Sequence, residues 1–147
     1  VADFVFNIAK GRVHYYASLP LTNDALILVP LMSTGIVADA TLKDYDDLAA
    51  LLAGATDEQT TMGRKTLASV TATVDDTGDT ASCDFADVTW TAATGSAVAK
   101  LIVCYDNDTT SGTDSNIIPL TAHDFALTPD GSDVIVQVDA LGFYTAS

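Results

Sequence analysis

Three carboxylates crowd one polar stretch of this chain: Asp106, Asp108 and Asp114, within Asp106-Asn107-Asp108-Thr109-Thr110-Ser111-Gly112-Thr113-Asp114. Clustered Asp oxygens are the ligands that hard cations such as Ca²⁺ take. The EF-hand spacing is not met. Thr110 stands where the fifth position needs Asp or Asn, Ser111 replaces the turn glycine, and no glutamate closes the loop. A cation site of another geometry is the chemistry these residues would support; the competing reading is a solvated acidic turn. Asp75, Asp76 and Asp79 form a weaker cluster of the same kind.

Nucleophilic catalysis needs a Ser, Cys or Thr with a base in reach. The chain has two histidines, His14 and His123, and no G-x-S-x-G elbow. His123 and Asp124 are adjacent, so on a strand they would point to opposite faces. His123 is therefore read as structural, and Cys104 with either histidine is no better supported. Asp84 and Asp87 lie three apart, but paired carboxylates act on sugars only in a cleft with aromatic platforms. Trp90, the single Trp, is expected in the core. No phosphate-cradling glycine loop or Cys/His zinc spacing is present. The sequence is read as non-enzymatic, with no catalytic residue and no cofactor.

The acid chemistry continues through the whole chain. Twenty acidic residues face six basic ones, a formal net charge of −14, and Glu58 is the only glutamate. Asp favours turns because its short side chain bonds nearby backbone, whereas Glu favours helices. With many Thr, Val and Ala, the chain reads as short strands joined by polar turns. Nucleic acid is not an expected partner: phosphate binding needs clustered cations, and here Lys10 and Arg12 form one pair, Arg64 and Lys65 another.

At 147 residues the chain is expected to fold as a single domain, 1–147, burying roughly 70% of its unfolded surface. The apolar fraction of 48% is high for so charged a chain, so apolar and acidic positions must be segregated. The apolar run Ala25–Met32 is too short to span a bilayer and contains Pro30. No basic stretch precedes an apolar one as in a secretory signal. Cys83 and Cys104 are expected as two buried thiols in a reducing cytoplasm, with one disulfide as the alternative.

The elements follow from periodicity. Phe4, Phe6 and Ile8 can share one strand face, with a bend at Gly11; Val13, Tyr15 and Tyr16 fit either strand or short helix. Ala25–Leu31 reads as a strand buried on both faces, which Pro30 must end, bulge or place at an edge. One helix is expected over 42–53, N-capped by Thr41, with Asp44 as an Asp variant of the capping box and Gly54 as terminator. Its stripe is Leu42, Tyr45, Leu48, Ala49 and Leu52. Beyond Gly63 the chain reads as β. Strands are expected at 70–74, 81–85, 88–91 and 98–105, then one or two within 116–127, one over 134–138, and a terminal strand or tail at 142–146. Pro129-Asp130-Gly131-Ser132 is expected to close a two-residue hairpin. The fold class is mainly β: a small β-sandwich or barrel with one short α-helix, residues 1–65 forming an N-terminal α/β extension and 66–147 a β core.

Several stretches in order resemble a family of small virion proteins of tailed bacteriophages. They are Phe6-Asn7-Ile8-Ala9-Lys10-Gly11-Arg12, the helix Lys43-Asp44-Tyr45-Asp46-Asp47-Leu48-Ala49-Ala50-Leu51-Leu52, and Gly63-Arg64-Lys65-Thr66-Leu67. Val74-Asp75-Asp76-Thr77 and Asp87-Val88-Thr89-Trp90-Thr91-Ala92 follow. Met62-Gly63-Arg64 lacks the family's T-G-Y-A-R form, so that junction is a partial match. The resemblance implies a structural part of the particle, most simply a head decoration (cement or minor capsid) protein. Its partner would be the major capsid protein, and its location the capsid exterior after synthesis in the host cytoplasm. A homo-oligomer, with a trimer favoured, is expected. No nucleic acid or membrane partner is expected. The contact regions expected are Phe4, Phe6, Ile8, Tyr15 and Tyr16 on an aromatic N-terminal arm, and Asp106, Asp108 and Thr110 in the acidic loop. Rival readings are a tail, head–tail connector or fibre component, and a Ca²⁺-dependent or glycan-binding adhesin.

Overall fold

In the computed structural model of the protein, residues 3–147 are described. The strands are β1 (Phe4–Val5), β2 (Ala25–Met32), β3 (Lys65–Thr66), β4 (Thr71–Asp75), β5 (Thr80–Asp84), β6 (Val88–Trp90), β7 (Val98–Asp106), β8 (Ile118–Leu127), β9 (Val134–Val136) and β10 (Tyr144–Ala146). The helices are α1 (Val13–Ala17), α2 (Asp39–Leu42) and α3 (Leu48–Gly54), with short 3₁₀ turns at Asn7–Ala9 and Asp114–Asn116. The described residues thus form a mainly β protein of three sheets. The largest runs β1-β8-β7-β2-β3; the others are β10-β5-β4 and β6-β9. All pairings are antiparallel. No helix among the described residues is long and apolar enough to cross a membrane.

The two most apolar segments, β2 and β7, lie side by side within the five-stranded sheet and supply much of the core. β2 is buried at every position from Ala25 to Leu31, as its unbroken apolar run requires. Pro30 sits inside it without breaking the ladder. Its carbonyl accepts from the Gln59 amide at 2.9 Å, on the side away from β7. A strand residue aims its N–H and C=O at the same side, so the missing N–H falls beyond the end of β3. Pro119 in β8 is accommodated where the β7–β8 register shifts between Val103 and Cys104. The two parts distinguished in the sequence interlock, because β1 and β2 from the first 65 residues pair with β8 and β7.

The single helix expected over 42–53 is two helices. α2 ends at Leu42, and Asp47 adopts extended angles (φ −145°, ψ 160°) and N-caps α3, accepting from the Ala50 amide at 2.8 Å. Thr41 is therefore not the cap; it lies within α2. Asp44, Asp46 and Asp47 would have occupied a helix interior, where Asp competes for backbone donors; at a cap the same side chain is favourable. The expected apolar positions Leu42 and Leu48 are still buried, now joined by Leu51. Gly54 is the last residue of α3 and leaves room for the Tyr45 hydroxyl, which a Cβ there would strike.

The aromatic N-terminus also differs. β1 covers only Phe4 and Val5, and the chain then turns into the 3₁₀ segment Asn7–Ala9, anchored by the Asn7 amide on the Lys43 carbonyl at 3.0 Å. Phe4, Phe6 and Ile8 are thus not one strand face. Of the two options for Val13–Tyr16, the helix is realised as α1. The turn at Asp130-Gly131 does not join neighbouring strands: β9 pairs with β6, not with β8. Gly131 (φ +92°) instead donates its N–H to the Ala93 carbonyl at 2.8 Å, stitching the turn to the end of β6. The β4–β5 hairpin, by contrast, pairs in unbroken register from Thr71↔Asp84 to Asp75↔Thr80 around the polar turn between them.

Candidate functional site

The pleat of β8 places Thr121 and His123 on one face, two residues apart. Antiparallel pairing of Phe4 with Ala122 then brings Asp3 beside them across 120 residues of chain. His123 Nε2 lies 2.8 Å from Thr121 Oγ1, and Nδ1 lies 3.2 Å from Asp3 Oδ2. The other Asp3 oxygen accepts from the Asp124 amide at 2.8 Å. This is a carboxylate–imidazole–hydroxyl chain, the order found in nucleophile relays. Thr121 is only 2% exposed, however, so its hydroxyl meets the imidazole and not solvent. The arrangement latches β1 onto β8. Partial burial pushes the Asp3 carboxyl up, but hydrogen bonds from the Asp124 amide and the His123 ring outweigh burial and hold it below its ordinary value. His123 also lines a cavity of about 320 Å³ whose wall includes Phe85, Phe125, Val138 and Phe143.

His123 and Asp124 diverge, as adjacent strand residues must. Asp124 joins Lys100 of β7, which also pairs with Asp39 of α2 at 3.1 Å and stands 5.5 Å from the centre of the Phe4 ring. Lys100 is 3% exposed, so two carboxylates and an aromatic face hold a charge that water does not reach.

The acidic loop is organised by its own side chains. Asp106 Oδ1 accepts from the Asp108 amide at 3.1 Å. Asp108 accepts from the Thr110 amide and hydroxyl at 2.9 and 2.5 Å, and from the Ser111 hydroxyl at 2.6 Å. The Ser111 and Thr110 hydroxyls hold the Asp108 carboxyl well below the usual range. Thr109 binds the Asn23 carbonyl through both its amide and its hydroxyl. Asp114 turns away to Arg64, which it meets at 2.7 and 2.8 Å, while the same guanidinium grips Glu58 at 2.8 and 2.9 Å. Asp106, Asp108 and Asp114 therefore do not converge on one point. No group of three or more His, Cys, Asp or Glu side chains among the described residues is placed to hold a metal ion.

Asp84 and Asp87 serve separate amides, those of Phe85 and Val138. Trp90 is buried, with its indole N–H on the Gly63 carbonyl at 3.0 Å, as its core reading requires. Cys83 and Cys104 are both buried and unbridged, on strands of different sheets. Burial alone pushes the Cys83 thiol up to about 11.

The expected contact residues divide. Phe6 is fully buried and Tyr16 is nearly so, stacked 4.7 Å from Tyr105, so these two are corrected from contact positions to core. Phe4 and Ile8 are partly covered and pack against the same core. Tyr15 and Thr110 remain exposed, while Asp106 and Asp108 are half-buried in the loop they shape. Asp3 was not legible as a partner of His123, because only strand pairing joins them. Similarly, nothing local links Arg64 with Asp114.

No family model, no curated protein and no solved structure matches this chain.

Proposed function

We propose that this protein is a non-enzymatic virion structural protein of a tailed bacteriophage, a decoration protein bound to the capsid exterior as a homo-oligomer. The observation that carries the reading is the disposition of charge. Of six cationic side chains, Arg64 and Lys100 are consumed in internal ion pairs, and Lys43 and Lys65 lie over Phe4 and Trp90 at 5.8 and 5.9 Å. The outward balance is thus dominated by carboxylates. Such a surface suits docking on basic patches of a shell and repels DNA. The ordered resemblance to small phage virion proteins supports the same role. Repeated copies would supply avidity without a deep pocket.

Cryo-electron microscopy of the virion tests the reading. Density for this chain on the head at three-fold positions is expected. Density at the tail or neck alone, in rings of six or twelve copies, would favour the connector or tail component instead. The adhesin alternative is tested by calcium. Millimolar Ca²⁺ is expected to leave the melting temperature unchanged, because Asp106, Asp108 and Asp114 are engaged separately; a rise would support a cation site.

A further inference from the structure

The inward face of the β10-β5-β4 sheet continues past the core that covers it. Side chains alternate along a strand, so Ala72, Cys83 and Tyr144 form one row of a face, and Val74, Ala81 and Ala146 form the next. The first row packs against the core, with Cys83 fully buried. The second row overhangs it: Val74 is 65% exposed, and the three side chains floor an open trough. Asp76 and Asp79 rim that trough at the hairpin tip, whereas Asp75 alternates to the other face and its carboxylate accepts from the Thr77 and Gly78 amides at 2.9 and 3.1 Å. β4 is also the terminal strand of its sheet, and its register carries no bulge, proline or lysine to blunt the edge.

We propose that this overhang is a docking surface for an extended, Lys- or Arg-bearing segment of a partner protein. The trough has an apolar floor and an anionic rim. An alkyl-ammonium or alkyl-guanidinium side chain matches both, laying its stem on Val74, Ala81 and Ala146 and its charge among the carboxylates. The free β4 edge can pair with the same segment as an added strand. A second copy of this chain docked through the same surface matches the floor but not the rim, since it would bring its own Asp76 and Asp79 to the same place. The surface goes beyond the virion reading; identifying its occupant as part of a capsid subunit rests on that reading.

The test is amide NMR of the whole labelled protein titrated with a blocked hexapeptide alternating Lys with Val or Thr, and with its Glu counterpart. The Lys peptide is expected to shift amides of residues 71–81 and 144–147, and the Glu peptide to leave them unmoved. Val74→Lys and Asp76→Lys, both at exposed positions, are expected to weaken the Lys peptide at least tenfold with the circular dichroism spectrum unchanged. Absence of shifts in those segments, equal response to both peptides, or unchanged affinity in both variants would overturn the inference. So would concentration-dependent dimerisation abolished by Val74→Lys, which would assign the surface to a second copy. Capsid binding separates this proposal from the virion reading. Variants that lose the Lys peptide yet still coat shells as wild type does would overturn the capsid subunit as the occupant, whereas peptide binding by a protein with no affinity for shells would remove the virion role alone.

Discussion

Arg64 reaches across fifty residues of sequence to meet Asp114 through two guanidinium nitrogens, at 2.7 and 2.8 Å, while its remaining donors hold Glu58. One planar fork thus joins the segment leading into β3 to the 3₁₀ turn leading into β8. Lysine, a single point charge, cannot serve both carboxylates in this way.

Arg64→Ala leaves Glu58, 12% exposed, without its charged partner. The expected cost lies between that of a surface and a buried pair, about 2 kcal/mol, with Arg64→Lys recovering only part of it. Urea unfolding of the three proteins measures this.

The same contact sets an acid dependence. The Arg64 hydrogen bonds hold the Asp114 carboxyl below its ordinary value, although partial burial opposes them. A carboxylate with a depressed folded pKa stabilises the fold above its unfolded value, and that contribution is lost as pH falls through the folded value. The stability difference between wild type and Asp114→Asn is therefore expected to be full above about pH 5 and to shrink below about pH 4. Urea midpoints across that range check the sign; a difference that grows on acidification would refute it.

His123→Ala removes the partner of the buried Thr121 hydroxyl and one of two ties to Asp3. A loss of about 1–2 kcal/mol is expected from the unsatisfied hydroxyl. Hydrogen exchange is expected to speed at the Asp124 and Phe6 amides, which bind Asp3 and Leu120, and to leave the β4–β5 hairpin unchanged. Uniform acceleration across the molecule would argue against a local latch.

Both thiols are buried, and burial raises both pKa values. A disulfide-based thiol reagent at pH 8 is expected to react slowly with the native protein and to titrate two thiols after denaturation. Rapid labelling of one cysteine in the native state would contradict its placement.

Gly142 and Gly131 both have left-handed backbone, φ +89° and +92°, but different surroundings. A Cβ on Gly142 would collide with the Cys83 carbonyl, whereas one on Gly131 meets open space. Gly131→Ala is expected to cost about 1 kcal/mol from backbone strain alone, and Gly142→Ala appreciably more. Equal melting temperatures for the two variants would contradict the packing of β10 on β5.

Much of the strand pattern was legible because it is local. The runs over β2 and β7, the alternation over 134–138 of which β9 takes Val134–Val136, and the Asp/Thr/Gly turn between β4 and β5 announce themselves within a few residues. The helix was misread for a local reason as well. Leu42 and Leu48 of its apolar stripe are buried, but Asp47 acts as a cap and divides it. The hairpin expected at Asp130-Gly131 had the right turn chemistry and the wrong partner, since turn propensity says nothing about which strand lies alongside.

Composition and periodicity alone settled the abundance of short strands, the burial of Val and Leu runs, and the excess of outward acid, because each depends on single residues and their near neighbours. Pairings of Asp3 with His123, Arg64 with Asp114, and Lys100 with Asp39 emerged only from strand register and packing. The same is true of the row Val74, Ala81 and Ala146. Its residues come from three strands, and whether that row is covered depends on where the rest of the molecule stops.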